Sequence, residues 1–203
     1  MSLGFFARAE VSFLTAVEVA LKAMETNPGF SRIAWKIIGD SLFRYSGIQL
    51  PRETQRLSDA LITLKDILEA APSIPISKLL VDSFSPEVVS ALSTLEFALA
   101  TYEYRITFGF YDDRAKAGAW YDLGIALQTL RSRNIGSHAT ISQDQVIRCL
   151  KEAVSAEPDE ELHWIALGNA YFLKNAKSAQ HAYIKSLELN SKVRLIPPHS
   201  NIY

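Results

Sequence analysis

Apolar positions recur with a helical period along almost the whole chain. Phe13, Val17, Ala20, Leu21 and Met24 fall at i, i+4, i+7, i+8 and i+11, which puts them on one stripe of an amphipathic helix. Leu57, Ala60, Leu61, Leu64 and Leu68 repeat the pattern, as do Leu92, Leu95, Leu99 and Tyr102. Further stripes are Val146, Leu150, Ala153 and Val154, then Leu167, Tyr171 and Phe172, then Tyr183, Ile184 and Leu187. No stretch alternates like a strand between hairpin turns. The apolar cluster 106–111 is the one β-like patch and reads as a helix end followed by a loop. The pattern predicts an all-α protein.

Breakers divide these helices. Asn27-Pro28-Gly29 ends the first, and Ser46-Gly47 with Pro51 ends the second. Pro72 and Pro75 flank a short linker, and Ser85-Pro86-Glu87 reads as a helix start with proline at its first position. The polar stretch 131–142, with Gly136 inside it, reads as a loop. Glu157-Pro158-Asp159 separates two helices tightly, and Pro197-Pro198 closes the last regular structure.

Composition narrows the classes. The chain has 203 residues, 48% hydrophobic and 21% charged, enough to bury a core and too apolar for disorder. A mean hydropathy of +0.05 is slightly high for a soluble chain and hints at faces that take a partner. The formal charge of −1 argues against gripping nucleic acid by charge alone. A single cysteine, Cys149, excludes an internal disulfide framework and a cysteine-based zinc cluster. No run reaches the roughly 18 apolar residues of a membrane helix. Arg8, Glu10, Glu18 and Lys22 interrupt the apolar stretch 3–23, which does not read as a signal peptide. A cytoplasmic location is expected, with no membrane or metal partner.

The three tryptophans stand in one frame: Trp35-Lys-Ile-Ile-Gly39, Trp120-Tyr-Asp-Leu-Gly124 and Trp164-Ile-Ala-Leu-Gly168. Each has an apolar residue three positions later and a glycine four later. Second halves agree as well. Ala16, Ala20, Ala23 and Pro28 show spacings 4, 3, 5, as do Val146, Leu150, Ala153 and Pro158, and Ala179, Tyr183 and Ser186 give 4, 3.

This frame resembles the tetratricopeptide repeat (TPR), a helix–turn–helix unit of about 34 residues. The resemblance implies an α-solenoid of TPR-like pairs wound as a right-handed superhelix, with Trp filling gaps between repeats and Gly and small residues letting helices approach. The repeat positions are then Trp35, Gly39, Trp120, Gly124, Trp164, Gly168, Ala179, Pro28 and Pro158. Lengths are uneven: Trp35 to Trp120 spans 85 residues and Trp120 to Trp164 spans 44. The expected organisation is a helical hairpin or second half of a TPR over 1–30, and a degenerate TPR with a helical insertion over 31–111. A TPR with a loop insertion at 131–142 follows over 115–158, then a TPR over 160–191 and an irregular tail over 193–203.

That irregularity is similar to the TPR-subunit family of the cytoplasmic superkiller (Ski) complex, the tetratricopeptide repeat protein 37 family. Ala34-Trp35-Lys36-Ile37-Ile38-Gly39-Asp40, Ala119-Trp120-Tyr121-Asp122-Leu123-Gly124, Trp164-Ile-Ala-Leu-Gly168 and Ala179-Gln180-His181-Ala182-Tyr183-Ile184-Lys185-Ser186-Leu187 carry the likeness, over residues 8–192. The resemblance implies a non-catalytic scaffold in exosome-dependent 3′-to-5′ mRNA decay. Its partners would be a DExH RNA helicase and a WD40 subunit, with RNA met only indirectly. Family members are far longer, so a fragment or shortened form with an unsealed, association-prone C-terminal end is expected. A free-standing peptide-binding adaptor of the co-chaperone type is the alternative. In a TPR array the exposed first-helix positions line a groove; here these are Lys36, Asp40, Tyr121, Ile125, Ile165 and Asn169. The lysine–asparagine–arginine set of a carboxylate clamp is not repeated there, which weakens the co-chaperone reading.

Candidate chemistry is sparse. His138, His163, His181 and His199 form no H-x-x-x-H or H-E-x-x-H. Cys149 reads as a buried structural thiol. Asp112-Asp113 and the group Glu157, Asp159, Glu160 and Glu161 resemble paired carboxylates, but the second group surrounds a helix start, where the helix dipole favours acids, and solvated capping is expected in place of acid–base work. No phosphate loop, dinucleotide fingerprint or nucleophile elbow occurs. No catalytic residue, cofactor or metal ligand is therefore expected.

Overall fold

The computed structural model describes residues 2–27, 31–48, 54–70, 84–87, 89–110, 112–133, 141–172 and 174–194, with side chains placed for all of these except 2–7, 31 and 192–194. Pro28, Pro51, Pro72, Pro75, Gly136, His138, His199 and most of the 193–203 tail lie outside the described residues. The described chain is all-helical: eight helices and no strand. They are α1 (Ser2–Thr26), α2 (Ser31–Tyr45), α3 (Thr54–Glu69), α4 (Ala91–Thr107), α5 (Asp113–Arg133), α6 (Gln143–Ala156), α7 (Glu161–Tyr171) and α8 (Ala176–Arg194). They fall into two compact units, Met1–Gly109 and Phe110–Tyr203.

Local chemistry sets several boundaries. Ser90 caps α4: its Oγ accepts from the Ser93 amide at 3.1 Å while Ser93 Oγ accepts from the Ser90 amide at 2.8 Å. Ser142 and Gln145 form the same reciprocal box at α6. Asn175 caps α8 by accepting from the Ser178 amide at 3.1 Å. Helix α4 ends at Thr107, and Gly109 takes φ 66°, the left-handed conformation open to glycine at a helix end.

In the first unit, two contacts give the helix directions. Tyr45 at the end of α2 donates to Glu10 near the start of α1 at 2.7 Å, so α1 and α2 run antiparallel. Arg32 at the start of α2 donates through Nη2 to the Phe108 carbonyl beyond α4 at 2.9 Å, so α2 and α4 also run antiparallel. The main partners of α2 are thus α1 and α4. Helix α3, adjacent in sequence, docks on α1 and α4 instead. It is tied there by Arg56, bidentate to Glu18 at 3.0 and 2.8 Å, and by Ser58 Oγ donating to the Pro86 carbonyl. Leu14, Val17, Trp35, Ile38, Leu42, Leu57, Leu61, Leu64, Leu95 and Leu99 make the core. Trp35 is 2% exposed and meets Tyr104 edge-on at 4.7 Å.

The second unit is a chain of antiparallel neighbours. Arg114 at the start of α5 reaches Glu157 after α6 at 3.4 Å. Gln143 at the start of α6 donates to the Ala170 carbonyl in α7 at 2.6 Å, and Lys174 pairs with Asp144 beside it. Asn190 of α8 donates to Glu161 at the start of α7 at 2.9 Å. Leu127, Leu130, Val146, Leu150, Ala153, Leu167 and Ala170 fill the interior.

Several sequence expectations need correction. Residues 2–26 are one continuous helix, which overturns the hairpin reading of this stretch and leaves the second-half-of-a-repeat reading. Its buried face runs through Leu14, Val17 and Leu21, with Phe13 only partly buried. Ser85-Pro86-Glu87 is a turn, and α4 starts five residues later because Ser90 supplies the cap. Helix α5 carries on through Arg133, into the stretch expected to be loop. The tryptophans also differ: Trp35 is enclosed between neighbours, while Trp120 and Trp164 are partly exposed. Trp35→Ala is therefore expected to cost about 3–5 kcal/mol in urea unfolding followed by helical circular dichroism, and Trp164→Ala clearly less. Equal losses would contradict the difference in enclosure.

Candidate functional site

Each tryptophan-bearing helix meets one partner in close contact at the glycine four residues on. A Cβ built on Gly39 would lie 2.6 Å from Tyr102 Cε1 and 2.8 Å from Thr101 Oγ1. At Gly124 it would lie 2.7 Å from Leu150 Cδ2, and at Gly168 it would lie 2.5 Å from Tyr183 Cε1. No ordinary side chain fits in any of these places. Two of the three contacts then add a polar lock. Tyr102, lying over Gly39, donates to Asp40 Oδ1 at 2.9 Å, and Tyr183, lying over Gly168, donates to Asn169 Oδ1 at 2.8 Å. The middle pair is apolar instead, with Leu150 over Gly124 and Ile125 in the following position.

These contacts decide what the six groove candidates can do. Asp40 is held by Tyr102 and also by Lys36, whose Nζ lies 3.0 Å from Asp40 Oδ2 one turn away. Lys36 is thus neutralised by its own helix. Asn169 stays exposed, with its carbonyl oxygen engaged by Tyr183. Ile125 and Ile165 are partly buried. Tyr121 stacks at a tilt on His163, with ring centroids 5.1 Å apart. Burial raises its phenol pKa, and the nearby carboxylates of Asp122 and Glu160 push in the same direction. Lys36 and Asp40 lie in the first unit; the other four lie in the second. Sequence reasoning missed Tyr102 and Tyr183 as partners of the glycines; an acceptor directly after glycine, as in Gly39-Asp40 and Gly168-Asn169, is the feature that marks them.

Residues weighed for chemistry have structural partners. Asp112 accepts from the Ala115 amide at 2.6 Å, and Glu160 accepts from the Leu162 amide at the start of α7. His163 is buried, with Nδ1 3.5 Å from the Glu157 carbonyl. His181 is exposed and meets Trp164 edge-on at 6.1 Å. Cys149 is buried beside Gly124. Among the described residues, no group of three His, Cys, Asp or Glu side chains could hold a metal ion. Nor is any described helix long and apolar enough to cross a membrane.

Neither protein-family models nor curated proteins match this chain.

Alanine is favoured over glycine by about 0.8–1 kcal/mol inside a helix, so only a clash can reverse that gain. Gly39→Ala and Gly168→Ala should each destabilise the protein by about 1–3 kcal/mol in chemical unfolding. Gly118, in α5 with nothing within 4 Å of a built Cβ, should instead gain up to about 1 kcal/mol on the same change. Separately, because the folded state raises the Tyr121 pKa above 10.0, it holds the phenolic proton more tightly than the unfolded chain does. That contribution is complete below pH 10 and is lost as pH climbs through the raised value. Tyr121→Phe should flatten this alkaline fall in stability, measured as the thermal midpoint against pH.

Proposed function

We propose that the chain is a non-catalytic scaffold of TPR-like helix pairs that holds other proteins together. One observation carries this reading: three tryptophan-bearing helices each pack on a partner at the glycine four residues later. That is the close approach a helical-hairpin repeat needs. The reading includes an α-solenoid with a right-handed superhelix, in which outward faces serve as docking surfaces. Carboxylates engaged in capping helix starts, a buried His163 and a buried Cys149 support the non-catalytic part.

The sequence resemblance to the Ski-complex TPR subunit makes the reading specific. The chain would act in the cytoplasm beside a DExH RNA helicase and a WD40 subunit, supporting exosome-dependent 3′-to-5′ mRNA decay, with RNA contacted only through partners. The immobilised chain, incubated with purified helicase and WD40 subunits and with chaperone C-terminal peptides, should retain the first two. Retention of the chaperone peptides alone would overturn the assignment in favour of a co-chaperone adaptor.

A further inference from the structure

A cavity of about 350 Å³ opens in the second unit where α6, α7 and α8 meet. Its walls are Trp164, Leu167 and Tyr171 of α7 with Ala182 of α8, and its polar groups are Lys151 of α6 with Lys177, Ser178 and His181 of α8. Ile165 and Asn169, the groove candidates on α7, are not part of its lining. The cavity therefore lies on a different face of α7.

Charge in this cavity is one-sided. No aspartate or glutamate lines it. Elsewhere, Lys36, Lys65, Lys174 and Lys185 each pair with a carboxylate. Lys151 and Lys177 have no carboxylate at ion-pair distance among the described residues, and both are exposed. The Lys151 ammonium stands 5.7 Å from the centre of the Tyr171 ring. A hydrogen bond to Tyr171 raises its pKa, with a smaller push the same way from Asp144, the carboxylate that Lys174 pairs with.

The floor is aromatic and aliphatic while the rim is cationic. Its volume is at the small end for ligand sites, enough for one bulky side chain with its neighbours rather than a cofactor. Lysine ammoniums are point charges without the planar fork that suits bidentate phosphate recognition. A net charge of −1 also gives no broad basic field for nucleic acid.

We propose that this cavity is a docking site for an acidic peptide segment, one in which an aromatic or aliphatic side chain is flanked by carboxylates. The apolar side chain rests on Trp164 and Leu167, and the carboxylates meet Lys151 and Lys177. The site stands apart from the proposed role in mRNA decay, since it is assigned from these helices alone. Failure to retain the helicase and WD40 subunits leaves it intact.

The test uses the full chain and a labelled peptide with phenylalanine between two glutamates, followed by fluorescence anisotropy. Saturable binding is expected, weakening as salt rises. Exchanging both glutamates for glutamine, or making the Lys151→Gln, Lys177→Gln double variant, should weaken it by about tenfold or more. The Lys151→Arg, Lys177→Arg variant and the remote Lys36→Gln variant should retain it. Circular dichroism should show every variant folded with the same helix content, since both lysines are exposed. Absent binding, equal affinity for the glutamine peptide, or indifference to the double glutamine variant would overturn the proposal. So would displacement of the peptide by inorganic phosphate or oligouridylate at lower concentration than the unlabelled peptide needs.

Discussion

The close contact of a large side chain with the bare backbone of a helical glycine organises both halves of this protein. Helices with ordinary side chains at their contact keep their axes about 8–10 Å apart. Removing a Cβ at Gly39, Gly124 and Gly168 lets Tyr102, Leu150 and Tyr183 lie directly on the opposing helix. Dispersion contact there is dense because ring or branched carbons meet backbone atoms with no void between them. Where the residue over glycine is tyrosine, its hydroxyl overreaches the glycine and finds the next side chain, Asp40 or Asn169. A slip along either pair would lose both the ring contact and the hydrogen bond together. The pairing register is thereby set twice by one residue.

This arrangement was only partly legible in the sequence. The stripe Leu57, Leu61 and Leu64 marked the buried face of α3 correctly, since period alone decides which side is apolar. Period does not name the partner. Nothing local tells α2 to skip α3 and settle on α4, a choice expressed in the Tyr102–Asp40 contact across 62 positions. Adjacent apolar residues also blur a stripe: Phe13 and Leu14 sit only about 100° apart on the helix, and it is Leu14 that is fully buried. Pro86 misled because proline suits a turn as well as a first helical position. The real start, Ser90, was hidden because Ser93 takes the place of the usual glutamate in the capping box. Of the groove candidates, the Lys36–Asp40 pairing was readable from its four-residue spacing, whereas the tyrosine hydroxyls that occupy Asp40 and Asn169 were not.

Polar groups that sequence inspection marks as chemical are largely consumed by the fold. Asp112 and Glu160 satisfy amides at helix starts, where the dipole also favours negative charge. Glu10 is buried and accepts from the buried Tyr45, which joins the start of α1 to the end of α2. A carboxylate taken out of water must be hydrogen-bonded to be tolerated, and this one links two helices in return. Such uses tie these side chains to helix starts and to the contact between α1 and α2.

The last helix pair shows how the same packing solution leaves an aromatic face partly open. Helix α8 turns Ala179, Ala182 and Ser186 inward, small side chains that suit its close approach to α7 at Gly168. Small residues bury little apolar area, and burial stabilises roughly in proportion to area. The pair must recover that area from larger groups beside the contact, namely Trp164, Leu167 and Tyr183. Trp164 does so while only partly covered, its indole nitrogen donating to the Pro158 carbonyl at 2.7 Å and its ring edge meeting His181. An indole fixed by its own hydrogen bond presents its remaining face without loss of order. A rigid aromatic wall with lysines from two helices at its edge is thus a by-product of packing α7 and α8 through a glycine.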